Sequence, residues 1–208
     1  MNKKTLVVGV ALVVQVAAIS WLIWRYERIV HSGTEVRFAC QAHDPYDPLR
    51  GRYLQTSVRE ECTNLVISGA LDGNLYSYRH RLFARLEPAS SNGLWRVGMV
   101  AEQPQGEGLW IKPKSSTLDY RMRWNEKRKD ERYDDFENRR KASGVLARVD
   151  MPDQLFLNEK LAPEAEEVLR KATGKSAVAV YRVLDGEIVI TDIEIDGKSI
   201  TQLVKEQK

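Results

Sequence analysis

The stretch AVAVYRVLDGEIVITDIEI, residues Ala177–Ile195, decides the fold class of this chain. Apolar and polar residues alternate on both sides of Asp185-Gly186, and a period of two is typical of half-buried β-strands. A two-residue Asp-Gly connection favours a tight turn between antiparallel strands. The sequence therefore predicts a β-hairpin whose strands are Ala177–Leu184 and Glu187–Ile195.

The same alternation occurs upstream, at Thr34–Ala42 and then at Tyr53–Val58. We expect these two strands to pair as a second hairpin, with Cys40 opposite about Leu54. In that register Cys62 lies beyond disulfide range, although a bridge between other neighbouring strands stays open.

Further elements complete a mainly β (α+β) domain with a single covering helix. Three strands are predicted to form a meander joined by glycine-containing turns: Leu75–Leu86, Trp95–Ala101 and Leu109–Lys112. The helix is Ala162–Ala172, which has Pro163 near its start, acidic residues in its first turn and Gly174 beyond its end.

Charge is concentrated in one segment. The 208 residues carry a net charge of +3, and the stretch 121–141 alone holds nine basic and six acidic residues. The remaining chain is balanced, which excludes the general basic field of a nucleic-acid-binding protein. We interpret 121–141 as a charged insertion that forms a solvated helix or a mobile excursion; the alternative is a docking surface for a partner or for lipid headgroups.

An apolar segment precedes the domain. Leu6–Trp24 contains nineteen residues without a charge, enough to cross a hydrocarbon core of roughly 30 Å as a helix. Gln15 is its only strongly polar residue, and Trp21 and Trp24 are placed for the membrane interface. Residues 6–24 are therefore predicted to be a transmembrane helix that contacts the lipid bilayer.

The flanking charges favour one orientation. Lys3 and Lys4 precede the span, so the positive-inside rule places residues 1–5 in the cytoplasm. Residues 25–33 are then a juxtamembrane linker, and residues 34–208 are an extracytoplasmic domain. Two alternatives are a signal peptide cleaved near Ala18 and Ser20, and a buried core helix.

No familiar catalytic motif is present in the sequence. The histidines are His31, His43 and His80, which lie in separate segments without zinc-ligand spacing. Nucleophile elbows, phosphate loops and dinucleotide fingerprints are absent as well. We therefore predict no catalytic residue, no metal and no cofactor, while a cation at His43, Asp44 and Asp47 is kept as an alternative to a simple Asp-Pro turn.

The loop after the first strand, DPYDPLRGRY at residues 44–53, resembles the signature of the GDYXXLXY family of membrane-anchored bacterial proteins. Weaker similarity lies downstream. The residues that carry the resemblance are Asp44, Asp47, Arg50, Gly51 and Tyr53 in the loop, Phe156 and Glu159 before the helix, and Asp196 and Gly197 near the end. The resemblance implies an N-terminal span and a β-rich domain, in a single-pass protein of the bacterial inner membrane whose domain faces the periplasm.

This chain departs from the name-giving motif at three positions, with Arg52 for Asp, Thr56 for Leu and Val58 for Tyr. The loop itself is expected to be a rigid polar corner, in which Arg50 binds an aspartate. Because about twenty residues separate this corner from the span, we expect it to lie close to the membrane.

These features predict a non-catalytic accessory domain that assembles with an integral membrane protein through the helix and the loop. One alternative is a small-ligand- or cation-binding domain, or a hydrolase, centred on the Asp-Pro-x-Asp-Pro-Leu-Arg-Gly loop. Another is a structural protein of the envelope without a specific partner.

Overall fold

A computed structural model describes residues 3–43, 53–58, 66–67, 82–89, 93–120, 127–128, 130–142, 145–158, 161–171 and 177–206. Within these ranges the helices are α1 (Lys3–Ser32), α2 (Tyr133–Ala142), α3 (Ala162–Lys171) and α4 (Ile200–Glu206). The strands are β1 (Thr34–His43), β2 (Tyr53–Val58), β3 (Val66–Ile67), β4 (Phe83–Pro88), β5 (Trp95–Ala101), β6 (Leu109–Ile111), β7 (Ser115–Tyr120), β8 (Val145–Asp150), β9 (Gln154–Phe156), β10 (Ala177–Leu184), β11 (Glu187–Ile195) and β12 (Lys198–Ser199). The predicted class, a β-rich domain after an N-terminal apolar helix, is confirmed.

The largest sheet has six antiparallel strands in the order β12-β11-β10-β1-β2-β9. The predicted β10–β11 hairpin is present at its predicted bounds. Asp185 and Gly186 have φ values of 52° and 81°, the left-handed conformation that a tight type I′ turn requires. Local turn chemistry therefore fixed this hairpin.

Strands β1 and β2 also pair as predicted, but the expected register was wrong. Cys40 lies opposite Val58 and His43 lies opposite Gln55, so the connection is longer than a tight hairpin would have. A long connection leaves the register to be set by packing of the buried faces. Cys62 lies outside the described residues, but it is four positions from the partner of Cys40, rather than the eight that the predicted register implied.

The second sheet has four strands in the order β3-β5-β4-β6, which is not the predicted meander. β6 pairs with β4 rather than with β5, because the chain crosses from one side of β4 to the other. Gly106 and Gly108, with φ values of 70° and 145°, lie in this crossing. The predicted strand Leu75–Leu86 is observed only from Phe83, since residues 68–81 lie outside the described ranges.

The charged insertion leaves the domain from the two-stranded β7–β8 sheet, in which Tyr120 lies opposite Val145. It contains α2, in agreement with the solvated-helix interpretation. Phe136 is nevertheless fully buried, and the Arg139 guanidinium of the same helix lies 5.7 Å from the centroid of its ring.

One hydrophobic core joins the sheets with helices α3 and α4. Phe38 and Tyr181 lie at its centre, fully buried, with their rings edge to face and their centroids 5.7 Å apart. Helix α3 contributes the predicted apolar face, including Ala165 and Leu169. Helix α4, which the sequence analysis did not predict, adds a second cover through its buried residues Ile200 and Val204.

Helix α1 is longer than the predicted span. Residues 6–28 are exposed along the helix, and the apolar part is long enough to cross a membrane. The helix continues without a break to Ser32, so the segment predicted as a juxtamembrane linker is helical almost to its end. The apolar helix and the first strand are therefore separated by Gly33 alone.

Candidate functional site

The conspicuous part of the predicted site lies outside the described residues. The structure describes the chain up to His43 and again from Tyr53, so Asp44, Asp47, Arg50 and Gly51 are not described, and neither is Glu159. Their roles stay predictions. The backbone of Tyr53 and the residues Phe156, Asp196 and Gly197 are described, and they define where the predicted site belongs in the fold.

The loop begins and ends at one end of the six-stranded sheet. It leaves β1 after His43 and enters β2 at Tyr53, which lies directly opposite Phe156 of β9. β9 is the edge strand on this side of the sheet. We call the region formed by the start of β2 and the strand β9 the distal corner.

Phe156 is the outstanding side chain of the distal corner. It is 69% exposed, whereas the preceding Leu155 is buried in the core, so β9 turns one apolar face inward and presents a phenyl ring outward. Edge strands can pair with another chain, so an exposed aromatic side chain on such a strand is a candidate contact residue.

The chain that leads into β9 is firmly held. The hydroxyl of the buried Tyr181 donates a hydrogen bond to the carbonyl of Pro152 at 2.8 Å. The backbone N–H of Thr56 donates to the carbonyl of Asp153 at 2.9 Å, and Lys114 forms an ion pair with the same aspartate at 2.6 Å. These contacts fix the distal corner relative to the core.

Two of the five named positions of the motif, Thr56 and Val58, face the core. Leu54, Thr56 and Val58 are all buried on the core face of β2. The positions where this chain has Thr56 and Val58 instead of Leu and Tyr are thus packing positions rather than surface positions. Among the described residues, the Thr56 hydroxyl finds no hydrogen-bond partner, which is the physical consequence of placing threonine in an apolar site.

The Asp196-Gly197 turn lies at the same end of the sheet as the loop. Its φ values of 52° and 81° match those of the Asp185-Gly186 turn at the other end of β11. Ile195 pairs with Ala177, which pairs in turn with Cys40 near the end of β1. The described parts of the regions that resemble the family motif therefore lie at one end of the sheet, the end that includes the distal corner.

The opposite, proximal end carries α1. The Arg25 guanidinium contacts Glu187 at 2.6 Å, and Arg28 contacts Asp185 at 3.4 Å. Arg28 also lies over the Trp24 ring, 5.8 Å from its centroid. The tip of the β10–β11 hairpin thus lies against the last turns of α1. The sequence did not indicate these ion pairs, because the two residues of each pair are about 160 positions apart.

The helix and the sheet are joined without a spacer. Ile29 is buried, the N–H of Gly33 donates to its carbonyl at 2.9 Å, and Arg182 donates to the Gly33 carbonyl at 3.1 Å. A Cβ at Gly33 would lie 2.5 Å from the Ile29 oxygen and 3.1 Å from the Val183 nitrogen. Only glycine fits here, so the junction is close-packed.

The loop begins far from the helix junction. β1 begins at Thr34, next to the end of α1, and runs for ten residues, roughly 33 Å, before the loop begins. The hairpin and its flank contact α1 at Gly33, Arg28 and Arg25. The loop therefore starts at the far end of β1 from α1, whereas its separation of about twenty residues from the apolar stretch favoured a position close to the span.

Four charged side chains across β1, β10 and β11 are paired with one another. Arg37 contacts Glu35 at 3.1 Å and Glu194 at 2.8 Å, and Arg182 contacts Glu35 at 2.8 Å. The two glutamates of this ladder therefore neutralise its two arginines.

The described ranges contain no group of three or more His, Cys, Asp or Glu side chains that could hold a metal ion. In the charged insertion, Arg139 donates two hydrogen bonds to the Glu131 carboxylate, at 2.9 and 2.7 Å. The Arg139 hydrogen bond, aided by the N–H of Arg128, holds the pKa of Glu131 below its usual value of 4.5. This pair is a structural clamp on the insertion.

A family model described as GDYXXLXY protein matches residues 15–193. The chain belongs to the GDYXXLXY family. The match extends from the middle of α1 through the loop to Ile193 in β11, so it includes both the distal corner and the helix junction, whereas Asp196 and Gly197 lie beyond it. No curated protein and no solved structure matches the chain.

Proposed function

We propose that this protein is a membrane-anchored, non-catalytic accessory domain that assembles with an integral membrane partner. The main support for the proposal is Gln15 in the apolar helix. It lies at the midpoint of the Leu6–Trp24 stretch, its side chain is exposed on α1, and an amide at the middle of a bilayer is stable when it hydrogen-bonds a neighbouring helix. A partner within the membrane provides such a helix.

The distal corner supports a second contact with the same partner. Phe156 presents an exposed ring on an edge strand about 30 Å from the helix junction. A partner that binds both α1 and this corner must therefore have an extramembrane portion of comparable height. The loop residues Asp47 and Arg50 are proposed to belong to this contact because the loop joins β2 directly at Tyr53.

The junction favours a retained anchor over a cleaved signal peptide. Arg25, Arg28 and Ile29 contact the domain within a few residues of the apolar stretch, in one uninterrupted helix. Cleavage near Ser20 would leave the end of this helix as an exposed apolar stub that carries Trp21 and Trp24.

The basic residues before the apolar stretch support the orientation. Lys3, Lys4 and the amino terminus precede it. By the positive-inside rule we place the N-terminus in the cytoplasm of a bacterium and the domain in the periplasm.

Co-purification from membranes in mild detergent tests the assembly. Gln15→Leu and Phe156→Ala are each expected to reduce recovery of a stoichiometric integral membrane partner. Val16→Leu, on another face of the helix, and Tyr133→Ala, which alters another exposed aromatic residue in α2, are matched controls that should retain it. Equal recovery with all four variants, or no partner with the unaltered chain, would contradict the proposal.

A further inference from the structure

The β10–β11 hairpin tip lies beside the part of α1 that follows the apolar stretch. Arg25 is the first residue after Trp24, and its guanidinium contacts Glu187 at 2.6 Å. Arg28, one turn further along α1, contacts Asp185. At a rise of about 1.5 Å per residue, these two arginines lie roughly 1.5 to 6 Å beyond Trp24 along the helix axis.

This interval coincides with the headgroup region of a bilayer. The layers outside the hydrocarbon core are roughly 5 to 7 Å thick on each side. Tryptophan prefers the boundary of the hydrocarbon, and arginine extends its charge into the headgroups. A hairpin tip that is ion-paired to Arg25 and Arg28 must share their depth.

We propose that the tip of the β10–β11 hairpin, with the segment after β6 that is hydrogen-bonded to it, is a lipid-headgroup contact surface. The N–H of Lys112 donates to the carbonyl of Gly186 at 2.7 Å, which holds this segment beside the turn. Lys112 is exposed and adds a cation that suits phosphate groups. The inference rests on the membrane insertion of α1 proposed above, but not on the protein partner.

The surface has a functional consequence. The domain cannot tilt freely on the bilayer, because the inserted α1 and the hairpin tip are two separate points of contact with the lipid. The distal corner, with Phe156, is thereby held at a fixed height above the membrane. A flexible stalk would give neither a fixed height nor a fixed orientation.

The two Asp-Gly turns at the ends of β11 supply a matched test. Asp185 and Asp196 have the same φ of 52° in equivalent turns, and the nine residues of β11 separate them by about 30 Å. A small fluorescent amino acid is introduced at position 185 or 196 of the full chain, in phosphatidylcholine vesicles whose lipid headgroups carry a nitroxide quencher. We expect strong loss of fluorescence at 185 and no significant loss at 196.

Two further probes separate the causes of failure. Position 22, within the apolar stretch, should be quenched by nitroxides on the acyl chains; if it is not, α1 is not inserted and both proposals fail. If position 22 is quenched but 185 and 196 respond equally, or 196 responds more strongly, the headgroup contact alone is refuted. The same fluorophore at position 112, compared with the exposed position 198, repeats the test without disturbing the Asp185 ion pair.

Discussion

Replacing Gly33 by alanine tests whether α1 and the sheet form one packed unit. The added Cβ would lie 2.5 Å from the carbonyl oxygen of Ile29 and 3.1 Å from both the Val183 nitrogen and the Arg182 Cβ. Two of these neighbours are backbone atoms of the helix and of β10. The backbone must therefore move, and the Gly33–Ile29 and Arg182–Gly33 hydrogen bonds move with it.

The size of the effect follows from two opposing terms. Overpacking of a close-packed site costs typically about 1–3 kcal/mol. Alanine also restricts the unfolded chain, which offsets about 0.4–1 kcal/mol of that loss. The midpoints of these two ranges leave a net destabilisation of about 1.3 kcal/mol, which corresponds to a fall in melting temperature of roughly 3–5 °C for a domain of this size.

Thermal unfolding of the full chain in detergent, followed by near-ultraviolet circular dichroism, measures this effect. Gly9→Ala is the matched control, because a Cβ at Gly9 meets no atom within 4 Å. Its melting temperature should equal or slightly exceed that of the unaltered protein. If Gly33→Ala also melted at or above the unaltered protein, the close-packed junction would be refuted.

Three further predictions concern the core and the insertion. Thr56→Val should stabilise the protein by about 1 kcal/mol in chemical denaturation, since it removes a buried hydroxyl without a partner among the described residues; a loss of stability would contradict this. Tyr181→Phe should cost about 1–2 kcal/mol in the same assay, because the carbonyl of Pro152 loses its donor, and an unchanged midpoint would show that this bond is unimportant. Arg139→Lys should raise the pKa of Glu131 toward 4.5 in a carboxyl NMR titration, because the paired hydrogen bonds are lost. Because the pKa of Glu131 is lowered in the folded protein, the Glu131–Arg139 pair stabilises the fold above pH 4.5, and this stabilisation is lost as the pH falls through the lowered pKa. If the pKa of Glu131 were the same in the Arg139→Lys variant, the pair would not be a clamp.

The features that local chemistry determines could be predicted from the sequence. The β10–β11 hairpin followed from the Asp185-Gly186 turn, and α3 followed from Pro163 and its flanking charges. Both elements begin and end where neighbouring residues dictate. The same holds for the apolar part of α1.

Features that depend on distant residues could not be predicted. The register of β1 against β2 is not set by their long connection, and β6 lies beside β4 only because the chain crosses that strand. The end of α1 was misplaced because its charged last turns resemble a linker until their partners Asp185 and Glu187 are known.

The candidate site, too, could be predicted only in part. The resemblance selected Tyr53, Phe156 and Asp196 from separate parts of the chain, and the structure places all three at the distal end of one sheet. Nothing in the sequence showed that Phe156 is exposed or that it lies opposite Tyr53. The burial of Thr56, in contrast, could have been predicted, because alternation along a strand places it on the same face as Leu54.

Site-specific photocrosslinking in native membranes tests the central claim most directly. A photoreactive amino acid is placed at position 156 in the distal corner, or at position 133 in α2, where the aromatic side chain is similarly exposed. We predict one major adduct with an integral membrane protein from position 156, absent from position 133 and diminished by Gln15→Leu. Identical adducts from both positions, or none from position 156, would contradict the assembly of this domain with a membrane partner.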